Sequence, residues 1–132
     1  MKRSTFLLIA AIIPLLFGLV MMFVPDKMLS NSLTSEADLL TRSVTQWVGF
    51  GTFTVGLITF LSRNDAGSIS LRAIMIGNIV FHGLGTCFDI YHYSIGVMKL
   101  PGLITGLMPH LLLIIGFVYY LNKLPANPCD RV

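Results

Sequence analysis

Charged residues are scarce in this chain, and that scarcity excludes an ordinary water-soluble domain. Only 11% of the residues are charged, 55% are hydrophobic, and the mean hydropathy is +0.81. Soluble domains carry roughly 25% charged residues, so this chain lacks the polar surface to cover a soluble fold. The hydrophobic residues also stand in long runs rather than scattered positions. The composition therefore predicts an integral membrane protein.

Basic clusters, cysteine pairs and common catalytic motifs are missing as well. The net charge is only +3 and the basic residues stand between apolar runs, so nucleic acid is not an expected partner. Cys87 and Cys129 form no CxxC motif and have no zinc-ligand spacing. Cys87 lies inside an apolar run, where a small core residue is the expected role. The sequence contains no GxSxG motif for nucleophilic catalysis.

Four apolar runs are each long enough to cross a bilayer as an α-helix, which takes about 20 residues. We predict an all-α fold, an integral membrane bundle of four transmembrane helices that forms a single domain over residues 1–132. The helices are expected at about 6–24, 43–61, 73–93 and 102–121.

The distribution of basic residues predicts the orientation. With a cytoplasmic N-terminus, six basic residues fall on the cytoplasmic side and three on the other, which favours cytoplasmic location of both termini. We therefore expect a multi-pass protein of a bacterial inner membrane. The six residues are Lys2, Arg3, Arg63, Arg72, Lys123 and Arg131.

The polar connection between the first two helices has its own pattern. Leu29, Leu33 and Ala37 recur at helical spacing, so part of the segment is expected to lie along the membrane interface. Ser35 followed by Asp38 resembles a capping box. The second helix is thus expected to begin before its hydrophobic part.

The third helix carries a polar stripe. Asn78, His82, Gly85, Asp89 and His92 are spaced four, three, four and three residues apart, so they share one helix face. At about 1.5 Å per residue the stripe is about 21 Å long. An ionised aspartate at the bilayer centre costs about 2.5–3.5 kcal/mol on insertion scales, so the stripe is expected to face the bundle interior.

Other helices carry residues that match this stripe. On the second helix, small and weakly polar residues repeat with the same spacing, at Thr45, Gly49, Thr52, Gly56 and Thr59. Asp89 is expected to pair with Arg42 or a histidine, because an unpaired buried charge is costly. The candidate ligand-binding residues, in or below the outer half of the bundle, are Arg42, Gln46, Asn78, His82, Asp89, His92 and His110.

Two functions fit these residues. The first is a binding or accessory role, in which an outward-facing polar pocket holds a small molecule, a lipid or a partner helix. The second is a membrane-embedded redox or enzyme subunit with quinone, haem or a metal at the histidines. His82 and His110 are the candidate haem ligands, and Asp89 and His92 would join them in a metal site. Polar residues also simply join membrane helices, at about 0.6 kcal/mol per hydrogen bond. The sequence leaves open the cofactor, the catalytic residues, and association with a second copy or a partner membrane subunit.

In outline, the chain resembles small four-helix bacterial membrane proteins of the DoxX-like kind. The resemblance rests on the size, the four spans, Arg42 followed by Gly49 and Gly51 in the second helix, and a polar third helix with Asp89 near its end. Some members of such families are similar to subunits of quinone-linked oxidoreductases. The resemblance therefore implies association with a quinone, a lipid or a redox partner, and it carries over no catalytic residue.

Overall fold

A computed structural model describes residues 1–124, and this part of the chain is helical with short connections. The five helices are α1 (Arg3–Phe23), α2 (Pro25–Ser32), α3 (Leu39–Leu61), α4 (Ile69–Ser94) and α5 (Leu100–Asn122). The four long helices have the length and apolar composition of membrane spans, so the predicted fold class is confirmed. Each begins two to four residues before its predicted start. Cys129 and Arg131 lie outside the described residues.

Helix α2 was expected only as an interfacial segment of undefined extent. It begins at Pro25, a residue suited to the first helical turn, and ends at Ser32. The extended residue Leu33 then interrupts the helical spacing that the sequence shows. The expected capping box is wrong, because Asp38 itself caps α3 and accepts a hydrogen bond from the Thr41 N–H at 2.7 Å. This bond lowers the pKa of Asp38 below its ordinary value.

Helices α1 and α3 pack closely along a seam of glycines. A Cβ on Gly18 would lie 2.6 Å from the backbone nitrogen of Phe53, and a Cβ on Gly56 would lie 2.9 Å from the backbone nitrogen of Leu15. Small residues on both helices allow this backbone approach. The small face of α3 therefore packs against α1, and its expected match with the polar stripe of α4 is wrong apart from Thr59.

The two ends of the bundle differ. We call the end with the N-terminus, the α3–α4 loop and the end of α5 the proximal end, and the opposite end, with α2, the distal end. The hydrophobic core joins α1, α4 and α5 at the proximal end. Its members are Phe6, Leu7, Ala10, Leu71, Met75, Leu113, Phe117, Tyr120 and Leu124.

Large apolar side chains cover the outside of the bundle. Leu16, Leu84 and Ile115, on three different helices, are 57%, 56% and 67% exposed. Such surfaces suit contact with acyl chains, which solvate apolar side chains as well as a protein core does. Cys87 also lies on the exposed surface, so its expected place in the core is wrong.

Candidate functional site

Helices α4 and α5 hold polar side chains between them through reciprocal packing against glycines. A Cβ on Gly85 of α4 would lie 2.6 Å from Nε2 of His110 on α5. A Cβ on Gly106 of α5 would overlap the carboxylate of Asp89 on α4. Each helix thus has a glycine where the other places a bulky polar group. The two glycines leave the room that His110 and Asp89 occupy.

Three side chains form what we call the His–His–Asp cluster: Asp89, His110 and His82. Nε2 of His110 lies 3.9 Å from Oδ2 of Asp89, and Nδ1 of His110 lies 2.8 Å from Nδ1 of His82. The side chains of Asp89 and His110 are 17% and 23% exposed, whereas His82 is 2% exposed. Asp89 thus faces a histidine, one of the two partners expected for it.

The contact between the imidazoles limits where their protons can be. Two facing Nδ1 atoms need one N–H and one lone pair. With Asp89 ionised, both contacts are favourable when His110 carries its proton on Nε2 and His82 carries its proton on Nδ1. Nε2 of His82 then has a lone pair, and this buried atom has no hydrogen-bond partner among the described residues. The ring of Phe117 stacks beside it, with centroids 6.3 Å apart.

Asn78 has a different neighbour from the rest of the stripe. Its Nδ2 donates to Oγ1 of Thr59 at 3.0 Å and to the backbone oxygen of Ile74 at 2.9 Å. Asn78 therefore joins α4 to α3, as interhelical hydrogen bonds commonly do in membranes. His92 lies near the distal end of α4 and stacks on Phe88 of its own helix, with centroids 6.2 Å apart.

Arg42 and Gln46 contact other helices and not the His–His–Asp cluster. Nε of Arg42 pairs with Oδ1 of Asp26 on α2 at 2.8 Å, and Nε2 of Gln46 donates to the backbone oxygen of Met22 on α1 at 3.0 Å. Both residues therefore join α3 to the elements that precede it. Helix α2 causes this arrangement, since it returns Asp26 to the start of α3.

A groove at the distal end was not expected from the sequence. This distal groove has a volume of about 550 Å³ and lies between the distal half of α1, helix α2 and the first turns of α5. Its walls are mainly apolar, and its lining residues are Leu16, Phe17, Val20, Val24, Lys27, Met28, Asn31, Ser32, Pro101, Gly102 and Thr105.

The close approach of α2 to α5 closes one side of the distal groove. A Cβ on Gly102 would lie 2.8 Å from Cα of Ser32, and the backbone N–H of Lys99 donates to the Ser32 oxygen at 2.8 Å. In the sequence, Pro25 indicates that a helix can begin there. It does not reveal that α2 folds back toward α5.

A second cavity, of about 430 Å³, lies on the distal surface beside α2. Its lining is more polar and includes Asp26, Ser30, Glu36, Arg42 and Lys99. Arg42 is the residue that this cavity shares with the candidate set, while His82, Asp89 and His110 line neither cavity.

The arrangement of the histidines and carboxylates does not favour a haem or metal centre. Within residues 1–124, no group of three or more histidine, cysteine, aspartate or glutamate side chains has the arrangement of a metal site. His82 and His110 each use Nδ1 on the other ring. The buried Nε2 of His82 is the nitrogen that this contact leaves unpartnered in the cluster.

Comparison with known proteins does not identify the chain. No protein-family model, curated protein or solved structure matches it. The resemblance to DoxX-like proteins therefore stays a prediction.

Proposed function

We propose that this protein is a multi-pass membrane protein that binds an anionic phospholipid in the distal groove. One acyl chain would lie between α1 and α5, and the phosphate would lie at Lys27 of α2. The volume of about 550 Å³ is within the range of about 300–1,000 Å³ typical of ligand sites. The observation that carries the proposal is an apolar groove with a cationic group at its distal mouth.

The charge at the mouth of the groove favours an anionic headgroup. Among residues 1–124, no carboxylate lies within ion-pair distance of Lys27. The neighbouring cations are engaged, since Arg42 pairs with Asp26 and Nζ of Lys99 donates to the backbone oxygen of Ser30 at 3.0 Å. A phosphate would supply the missing partner of Lys27, with the amide of Asn31 as a second donor.

The location of the groove suits entry from the bilayer. Its walls include Leu16 and Val20, which are 57% and 43% exposed on the lipid-facing side of α1. An acyl chain can therefore enter without crossing water. With the orientation that the basic residues favour, the groove would lie in the outer leaflet of a bacterial inner membrane.

Photo-crosslinking tests this proposal. Purified protein in nanodiscs would be irradiated with phosphatidylglycerol or phosphatidylcholine that carries a diazirine in one acyl chain, and labelled residues would be mapped by mass spectrometry. We expect phosphatidylglycerol to label α1 and α5 around Val20 and Thr105. A lysine near the surface contributes about 1 kcal/mol to binding an anionic lipid, so Lys27→Gln should reduce this labelling about fivefold.

Lys99→Gln is the matched control, because it removes the same charge at the same end from a residue outside the groove lining. It should retain most of the labelling by phosphatidylglycerol. Equal labelling by both lipids that Lys27→Gln leaves unchanged would contradict a headgroup site at Lys27. Labelling spread evenly over all lipid-facing helices would contradict the groove itself.

A further inference from the structure

The His–His–Asp cluster lies outside the distal groove and has a different chemistry. We infer that it is a proton-binding site, which takes up a single proton from the distal side and shares it between His110 and His82 as the counter-charge of Asp89. This inference does not depend on lipid binding in the distal groove. Three observations carry it: the charge balance around Asp89, the geometry of the imidazoles and the difference in exposure along the cluster.

The charge balance requires a positive partner for Asp89. An ionised carboxylate between membrane helices is costly unless a positive charge compensates it. His110 on α5 lies 3.9 Å away, and His92 is the titratable residue one turn farther along α4. Lys99, before α5, binds Ser30 through Nζ.

Apart from His110, no cationic side chain of residues 1–124 lies within ion-pair distance of Asp89. Lys27 of α2 lines the distal groove. Within its span, α1 has a single charged residue, Arg3, at the proximal end, where it donates to the backbone oxygen of Asp65. On α3, Arg42 pairs with Asp26 of α2. On α4, Arg72 lies in the first turn, also at the proximal end. A proton on an imidazole is therefore the compensating charge that the cluster can obtain.

The ring geometry limits uptake to one proton. If His110 becomes an imidazolium, its Nδ1–H donates to Nδ1 of His82 and its Nε2–H faces Oδ2 of Asp89. His82, whose proton lies on Nδ1 in the neutral pair, changes tautomer: that proton passes to Nδ1 of His110, and Nε2 of His82 carries a proton instead, so that the pair gains one proton in total. A second imidazolium would place two N–H groups against each other across the 2.8 Å contact. The cluster thus changes between net charges of −1 and 0.

The difference in side-chain exposure along the cluster indicates that the proton arrives from the distal side. The side chains of Asp89 and His110 are 17% and 23% exposed, but His82 is 2% exposed. Beyond His82, toward the proximal end, the buried residues Phe117, Met75 and Leu71 belong to the hydrophobic core. The path ends at His82, so the cluster stores a proton and does not conduct it across the membrane.

Nitrogen NMR of protein with ¹⁵N-labelled imidazoles tests this inference, because ¹⁵N shifts separate neutral rings, tautomers and imidazolium. The chain has three histidines, and His92 serves as the internal reference. Titration in nanodiscs should show uptake of one proton by His82 and His110 together. Asp89→Asn removes the counter-charge and should lower the proton affinity of the pair at least about tenfold. His92→Gln, the matched control, should leave it unchanged within about twofold.

Gly106→Ala provides a second variant if Asp89→Asn fails to fold. Its added methyl group displaces the Asp89 carboxylate, so it should also lower the proton affinity of the histidine pair. Two protons taken up by the pair in one pH range would overturn the shared site. The same holds if both rings stay neutral while Asp89 titrates, or if neither Asp89→Asn nor Gly106→Ala moves the midpoint. Proton flux through protein-containing vesicles above that of empty vesicles would overturn the dead end at His82.

Discussion

Gly18→Ala is expected to destabilise the bundle by about 1–3 kcal/mol, the usual cost of overpacking a well-packed contact. The new methyl group would lie 2.6 Å from the backbone nitrogen of Phe53 and 2.8 Å from the backbone oxygen of Gly49. Backbone atoms cannot rotate away as a flexible side chain can, so α1 and α3 must separate along their seam.

Unfolding can be followed through a buried thiol. Ala10 is fully buried, so an Ala10→Cys variant with both native cysteines replaced by serine would react with a fluorogenic maleimide only after the bundle opens. Its reactivity along an SDS titration gives the free energy of unfolding. Gly51→Ala is the matched control, since a Cβ at Gly51 would meet no atom within 4 Å. Equal stabilities of the two variants would contradict the close α1–α3 seam.

The spans could be predicted from the sequence because membrane insertion depends on a property of one segment at a time. A run of about 20 apolar residues satisfies its backbone hydrogen bonds within its own helix, whatever its neighbours are. The inward direction of much of the polar stripe could be predicted for a similar reason. Lipid offers no partner to Asn78, His82 or Asp89, and the structure places these side chains between helices.

The pairing of the helices could not be predicted in the same way, because it depends on which two faces fit. The glycines of α3 form a regular pattern in the sequence, but no such pattern marks Gly18 of α1 as their counterpart. The antiparallel α4–α5 contact likewise depends on two glycines, Gly85 and Gly106, that oppose His110 and Asp89. Single-helix periodicity contains no information about such a register.

Helix α2 explains why Asp89 faces a histidine and not Arg42, the other partner expected for it. The short helix returns Asp26 to the start of α3, where it pairs with Arg42 at 2.8 Å. A local partner across a short connection loses less chain entropy than a distant one. The same return of the chain forms one wall of the distal groove, so the ion pair of Arg42 with Asp26 and the unexpected groove have a single origin.

Phe117→Ala is expected to destabilise the bundle by about 2 kcal/mol. Phe117 is fully buried, packs edge-on against Phe6 with centroids 5.1 Å apart, and belongs to the proximal core. In a soluble protein such a truncation costs about 3–5 kcal/mol, which includes transfer of the ring from water. Lipid is as apolar as the core, so that transfer contributes little here. What remains is the cavity, about 100 Å³ at about 24 cal/mol per Å³.

The same variant tests the contact between the core and the His–His–Asp cluster. Removing the ring leaves space for water, and the unpartnered Nε2 of His82 would give that water a hydrogen bond. We therefore expect the ¹⁵N shift of this atom to change along with the stability. Ile115→Ala, at a 67% exposed position on the lipid-facing side of α5, should leave both unchanged. If Phe117→Ala were no more harmful than Ile115→Ala, the proximal core would not join α1 to α4 and α5, and His82 would have no dry boundary to end the proton path.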